Sequence, residues 1–296
     1  QLTKTYTVKV VSDSGNKYRF DDFGSSAVVL ELSEGGTYTF DQSDSSNSGH
    51  PLRFSSTSNG SHGGGSEYTT GVTTNGTPGN SGAYTKIVVP ASAPTLYYYC
   101  TAHSGMGGQA NTPTTNSFSN FSGTIQSNVS ANADAGFSII NYQGNQTAGA
   151  TVGHGLSKAP EMLIIKNRDT AGYGWLVGHA SRTFEKYSVL NTTGAEADQT
   201  SIFNDTAPTS TVFSLGSDTF GNKTGDDHIC YAFHSVDGYS KVGSYVGNGN
   251  ADGTFVYTGF KPMMVISKYI GAENWNIIDT KRSTYNVMED LLKPDN

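Results

Sequence analysis

The sequence has little cysteine, little charge and no long apolar run. Only Cys100 and Cys230 are cysteines among its 296 residues, too few for a disulfide framework. Asp, Glu, Lys and Arg together make up 15 % of the chain, and the net charge is −7. Without a Lys/Arg cluster to displace counterions, a nucleic-acid partner is not expected. No apolar run approaches the ~18 residues of a membrane span, so membrane insertion is not expected either. Helical periodicity is nearly missing, with "YNVMEDLLK" (285–293) the one short candidate. No basic and apolar leader precedes Gln1, which reads as a processed product or a fragment. No Ser-His-Asp order, catalytic carboxylate pair or phosphate loop stands out, so enzyme activity is not expected.

What the chain does contain is 36 Gly, 17 Tyr and 14 Phe, with much Ser, Thr and Asn between them. Turn clusters such as "DSGN", "SEGG", "TSNG" and "VGNGN" separate short apolar runs. Gly and Asn supply the positive φ of tight turns, so this alternation reads as all-β. In residues 1–108 the strands expected are "TYTVKVV", "AVVLEL", "TYTFD", "PLRFS", "KIVVP" and "LYYYC", spaced as in a sandwich or barrel. Residues 56–84 read as a long solvated loop. Residues 109–136 read as a linker, with one strand around "SGTIQSNV".

The remainder, 137–296, carries an internal repeat of about 100 residues. The segment 141–182 matches 244–282, with Tyr142, Gly144, Asn145, Pro160, Lys166, Trp175 and Arg182 aligning with Tyr245, Gly247, Asn248, Pro262, Lys268, Trp275 and Arg282. This period is too long for solenoid units and fits two related sheets or sandwich halves. Segment 209–236 closes the first copy, whereas no such ending follows the second before Asn296. The natural polypeptide is therefore expected to continue.

The chemistry concentrates in "CTAHSGM". Cys100, His103 and Met106 follow one another at three-residue intervals, and His50 sits at the mouth of an upstream strand. One thiolate, two imidazoles and a thioether form the ligand set of a blue-copper site. The thiolate and thioether suit Cu(I) and the imidazoles suit Cu(II). Gly105, Gly107 and Gly108 let the chain reverse around one ion. Equally, Cys100 and Met106 could be buried fillers and the histidines ordinary loop residues.

On these residues, 1–108 resembles the cupredoxin family, with the short ligand loop that amicyanin uses. The resemblance implies a Greek-key β-sandwich holding type 1 copper, with His50, Cys100 and His103 equatorial and Met106 a weak axial ligand. Residues from about 135 onward, by "VGHGLSKAPEMLIIKNR" and "SYVGNGNADGTFVYTGFKP", resemble a β-rich module of tail-fibre and structural proteins from marine tailed phages. That likeness implies a second β-sandwich, jelly-roll or lectin-like. It also implies a virion or extracellular location, homo-oligomerisation, contacts with other virion or fibre proteins, and binding to cell-surface glycans. The whole then reads as a structural or adhesive subunit, with a surface-tethered copper electron carrier as the alternative.

Other candidates are weaker. His62 in "GSHGGG" reads as a loop histidine. His228, Cys230 and His234 share one strand face, which suits a buried Cys more than a metal. Asp21–Asp22 and Asp226–Asp227 read as solvated turns, having no fixed Ca²⁺ loop. Trp175 and Trp275 suit either sugar stacking or a core.

Overall fold

A computed structural model describes residues 2–283 and 290–295 and forms two compact units, Gln1–Ser130 and Ala131–Asn296. Both are built almost wholly of β-strands. Most of the "YNVMEDLLK" segment lies outside the described residues.

In the first unit one sheet has the order β2-β1-β4-β7-β6. It consists of β1 (Thr3–Ser12), β2 (Asn16–Phe20), β4 (Thr37–Asp41), β6 (Val72–Asn75) and β7 (Tyr84–Val88). The other has the order β3-β9-β8-β5, from β3 (Leu30–Glu31), β5 (Leu52–Ser55), β8 (Leu96–Cys100) and β9 (Gly108–Asn111). The pairs β1·β4 and β3·β9 are parallel, and the remaining ladders are antiparallel. Alternation drives the assembly. In "TYTFD" Tyr38 and Phe40 point inward, and in β5 Leu52 and Phe54 do the same. Side chains of both sheets meet in one core, with Tyr6, Val8 and Phe40 from the first and Phe54, Leu96 and Tyr98 from the second. Phe40 is its hub. Its ring lies 5.5 Å from Tyr6, 5.6 Å from Phe20 and 5.4 Å from Phe54, mostly edge-on, the arrangement the ring quadrupole favours.

Three expectations need adjusting here. The expected strand 27–32 is a strand only at Leu30–Glu31, and Ala27 has φ 50°, outside the β region. The expected loop 56–84 contains a 3₁₀ turn, Gly60–Gly63, and edge strand β6, whose polar "VTTN" hides its pairing with β7. The segment read as a linker carries most of β9, all of β10 (Phe118–Asn120) and β11 (Ser127–Asn132). Within it Ser119 and Ser127 are buried, and Ser119 Oγ accepts the Glu31 N–H at 2.8 Å.

In the second unit, six strands lie in the order β12-β19-β14-β15-β16-β17. They are β12 (Phe137–Gln143), β14 (Met162–Asn167), β15 (Leu176–His179), β16 (Lys186–Val189), β17 (Ala197–Asp198) and β19 (Asp227–Phe233). A separate ladder joins β13 (Ala150–Gly153) to β18 (Val212–Leu215), and β20 (Met264–Lys268) forms a hairpin with β21 (Trp275–Asp279). β19 is central: Ile140 and Ile165 both stand opposite Cys230, one on each side.

Truncating the hub of the first core tests its role. Phe40→Ala is expected to cost about 3–5 kcal/mol, measured by denaturant unfolding, whereas the equally apolar but half-exposed Val88→Ala should change little.

Candidate metal centre

His50 is delivered by a strap between β4 and β5. Asp44 caps a 3₁₀ turn, Ser45–Asn47, by accepting from the Ser46 N–H at 2.9 Å. The buried Asn47 donates to the Val8 carbonyl at 2.7 Å, and its own carbonyl accepts the His50 N–H at 2.8 Å. The His50 carbonyl accepts from both the Tyr18 hydroxyl and the Gln42 amide, each at 2.9 Å. Cys100 comes from the end of β8, where the ladder sets it opposite Leu52. Just past that ladder, the Thr101 N–H donates to the Pro51 carbonyl at 3.2 Å, tying the two ligand segments together.

The loop after Cys100 turns back at glycines, as its sequence implies. Gly105 has φ +72°, a conformation costly for other residues. A Cβ on Gly107 would sit 1.7 Å from the Tyr98 carbonyl oxygen. Met106 between them is buried in the core, and its carbonyl accepts the Tyr18 N–H at 3.0 Å.

These supports bring His50, Cys100 and His103 together, with their ligand atoms all within 4.8 Å of one another. Cys100 Sγ lies 3.9 Å from His50 Nδ1 and 3.7 Å from His103 Nδ1. The imidazole centroids are 4.5 Å apart. The spacing suits one ion. Metal–sulfur and metal–nitrogen bonds of about 2.3 and 2.0–2.1 Å, at trigonal to tetrahedral angles, put S and N about 3.6–3.8 Å apart. Burial and the nearby His103 lower the pKa of His50, favouring the neutral ring a metal needs. Cys100 is buried and His103 exposed, so the cluster lies between core and solvent. Burial first, then the Cys100 sulfur, raises the Tyr18 phenol pKa, keeping it a hydrogen-bond donor. A His/Cys/His cluster capable of coordinating a metal ion is present.

Sequence reading missed the residues that brace this cluster. Asn59 accepts the Gly105 N–H at 2.8 Å through Oδ1 and donates to Ser104 Oγ at 2.8 Å through Nδ2. Lys17 Nζ donates to the Gly105 carbonyl. His62, read as a loop residue, places Nε2 3.0 Å from the Cys100 carbonyl oxygen and sets its ring edge-on to Tyr99. The signal was the "SNGSH" turn, in which Asn59 takes the left-handed conformation that Asn tolerates.

Elsewhere the weaker candidates are engaged structurally. Asp226 accepts from Asn167 at 2.9 Å and Thr170 at 2.5 Å and pairs with Lys223 at 3.2 Å, which together hold its pKa down to about 2. Asp21 and Asp22 pair with Lys4 and Lys9. Trp275 is buried with Nε1 2.9 Å from the Val189 carbonyl, and Trp175 stacks on Tyr231. Cys230 is fully buried and its thiol pKa is raised by desolvation. His228 and His154 are fully buried too.

Two outcomes follow from these contacts. Asn59→Ala removes both side-chain bonds to the 104–105 turn and should raise backbone mobility there, read as faster amide exchange at Gly105, while the β-sheet amides keep their rates. In the second unit, burial lowers the pKa values of His154 and His228. The unfolded chain therefore binds more protons just below its own histidine pKa of ~6.5. Stability contributed by these rings is complete above about pH 6.5 and is lost as the pH falls through the lower folded values. The thermal midpoint of this unit should drop between pH 7.5 and 5, and His154→Gln should flatten that dependence.

No curated protein and no solved structure matches the chain. A family model described as "Domain of unknown function (DUF7483)" matches residues 110–296, from within β9 to the end. With well over half of its length inside that match, the chain belongs to the DUF7483 family.

Proposed function

We propose that the first unit is a copper-binding, cupredoxin-like sandwich whose type 1 site uses His50, Cys100 and His103, with Met106 as the weak axial ligand. The observation that carries this reading is the approach of two imidazole nitrogens and one cysteine sulfur to metal-bridging distance. Bound copper supplies a one-electron couple. The chain's own part is to hold the donors still. Tyr18 and Gln42 anchor the His50 backbone, and Asn59 and Lys17 pin the turn beyond His103. A donor set held this way changes little when the charge on the ion changes. The exposed His103 ring gives an electron partner its nearest approach.

For the chain as a whole we take the non-catalytic structural or adhesive reading: a virion or tail-fibre subunit, outside cells, assembled from several copies, with cell-surface glycan as a ligand. Its support is the predominantly β construction of both units and the pattern likeness of the second to phage structural modules. The alternative role, a surface-tethered electron carrier, rests on the same ligand cluster.

Titration of the purified protein with Cu(II) is expected to give an intense visible thiolate-to-copper band that saturates at one copper per chain. Cys100→Ser should abolish the band, and His103→Ala should shift or bleach it. A protein that stays colourless and retains no copper after dialysis overturns the copper assignment. The adhesive reading is tested separately, by whether the protein retards host adsorption by competition; no effect at saturating protein counts against it.

A further inference from the structure

The two repeat copies in the second unit have the same local architecture and different surroundings. In the first, β14 and β15 pair with Met162 opposite His179 and Ile165 opposite Leu176. In the second, β20 and β21 pair with Met264 opposite Asp279 and Ser267 opposite Asn276. Under the sequence alignment these registers are identical. One flanking bond repeats as well: the Ala180 N–H donates to the Glu161 carbonyl, and the Thr280 N–H to the Met263 carbonyl.

In the first copy β19 runs between β12 and β14 and pairs with both. Those two strands do not pair with each other; β19 is what joins them. Among the described residues of the second copy no strand takes that place. β20 has β21 as its one ladder partner among the described residues, and residues 241–263, which align with the β12 and β13 region, contain no strand. Side chains that are covered in the first copy are bare in the second. Leu163 is 0 % exposed and its counterpart Val265 is 40 %; Tyr142 is 4 % exposed and Tyr245 is 61 %. Tyr142 stacks on His228 of β19 at 5.1 Å, the contact that Tyr245 lacks. Phe255 and Tyr257 extend the bare surface, at 86 % and 78 %. An apolar patch beside an open strand edge is a binding surface for an extended segment.

We infer that the second copy, residues 244–282, is an acceptor for a β-strand of β19 chemistry, which inserts antiparallel against the free edge of β20. The occupant is specified by the first copy. It is an extended segment with small or apolar side chains at alternate positions, as Cys230 and Ala232 are on the buried face of β19. Such a strand gives the β20 backbone its missing partners and covers Val265, as Ala232 covers Leu163. Segment 239–246 then gains a neighbour to pair with, as β12 has in the first copy.

The test uses the full chain and a synthetic peptide of residues 209–236 carrying Cys230→Ala. At saturation the peptide should slow hydrogen exchange at amides 264–268 at least tenfold and protect Tyr245 and Tyr257 from modification. Val265→Asp in the chain, or Ala232→Asp in the peptide, should abolish both effects. Because an isolated peptide can aggregate, the same 28-residue stretch is also appended through a flexible linker after Asn296, with the same protection expected in cis. Unchanged exchange in both formats overturns the inference. So does a chain that dimerises through this face, with slow exchange at 264–268 before any peptide is added.

Discussion

The register of a single ladder decides whether the candidate metal centre exists. β5 and β8 pair with Leu52 opposite Cys100, so His50, two residues upstream, arrives beside the cysteine sulfur. Side chains alternate across a sheet, and a slip of one residue would turn Cys100 to the opposite face. The apolar pattern guards against that slip, because Leu52 and Phe54 on one strand and Leu96 and Tyr98 on the other must all enter the same core. Core burial and ligand convergence are thus consequences of one alignment.

The grouping of His50, Cys100 and His103 was legible in the sequence because such side chains are rare in this chain and two of them are closely spaced. The glycine-rich reversal was legible too, and the left-handed Gly105 and the close approach at Gly107 give it physical content. What stayed hidden was polar. Asn59 and Tyr18 support the centre through hydrogen bonds to backbone atoms far away along the chain, and Gln42 through one to the His50 carbonyl; no periodicity marks such bonds in advance. The same blindness applied to β6 and β9, whose "VTTN" and "GQAN" have loop-like composition. Their strand character comes from the ladders they join, an instance of context overriding propensity. Short runs with apolar alternation, such as "TYTFD" and "LYYYC", were read correctly for the complementary reason.

The two units use their buried polar groups differently. In the first, Asn47 and Gln42 are fully inside but bonded, and they position a ligand segment. In the second, His228 and His234 are buried with Nε2 lacking a partner among the described residues, and Ser138 is similarly placed. A buried donor or acceptor left in this way costs about 1–3 kcal/mol. The core of the second unit therefore trades some stability for polarity, and the lowered pKa values of His154 and His228 are the electrostatic sign of the same burial.

The position of β19 along the chain has a consequence for synthesis. The strand that both β12 and β14 require lies roughly 60–90 residues after them. At ribosomal rates of about 5–20 residues per second, both strands wait on the order of ten seconds, each with the edge that β19 will occupy still unpaired. The emerging half-sheet is then as vulnerable to wrong partners as any nascent intermediate. Its keystone arrives last, so correct closure depends on the timing of translation as well as on equilibrium stability.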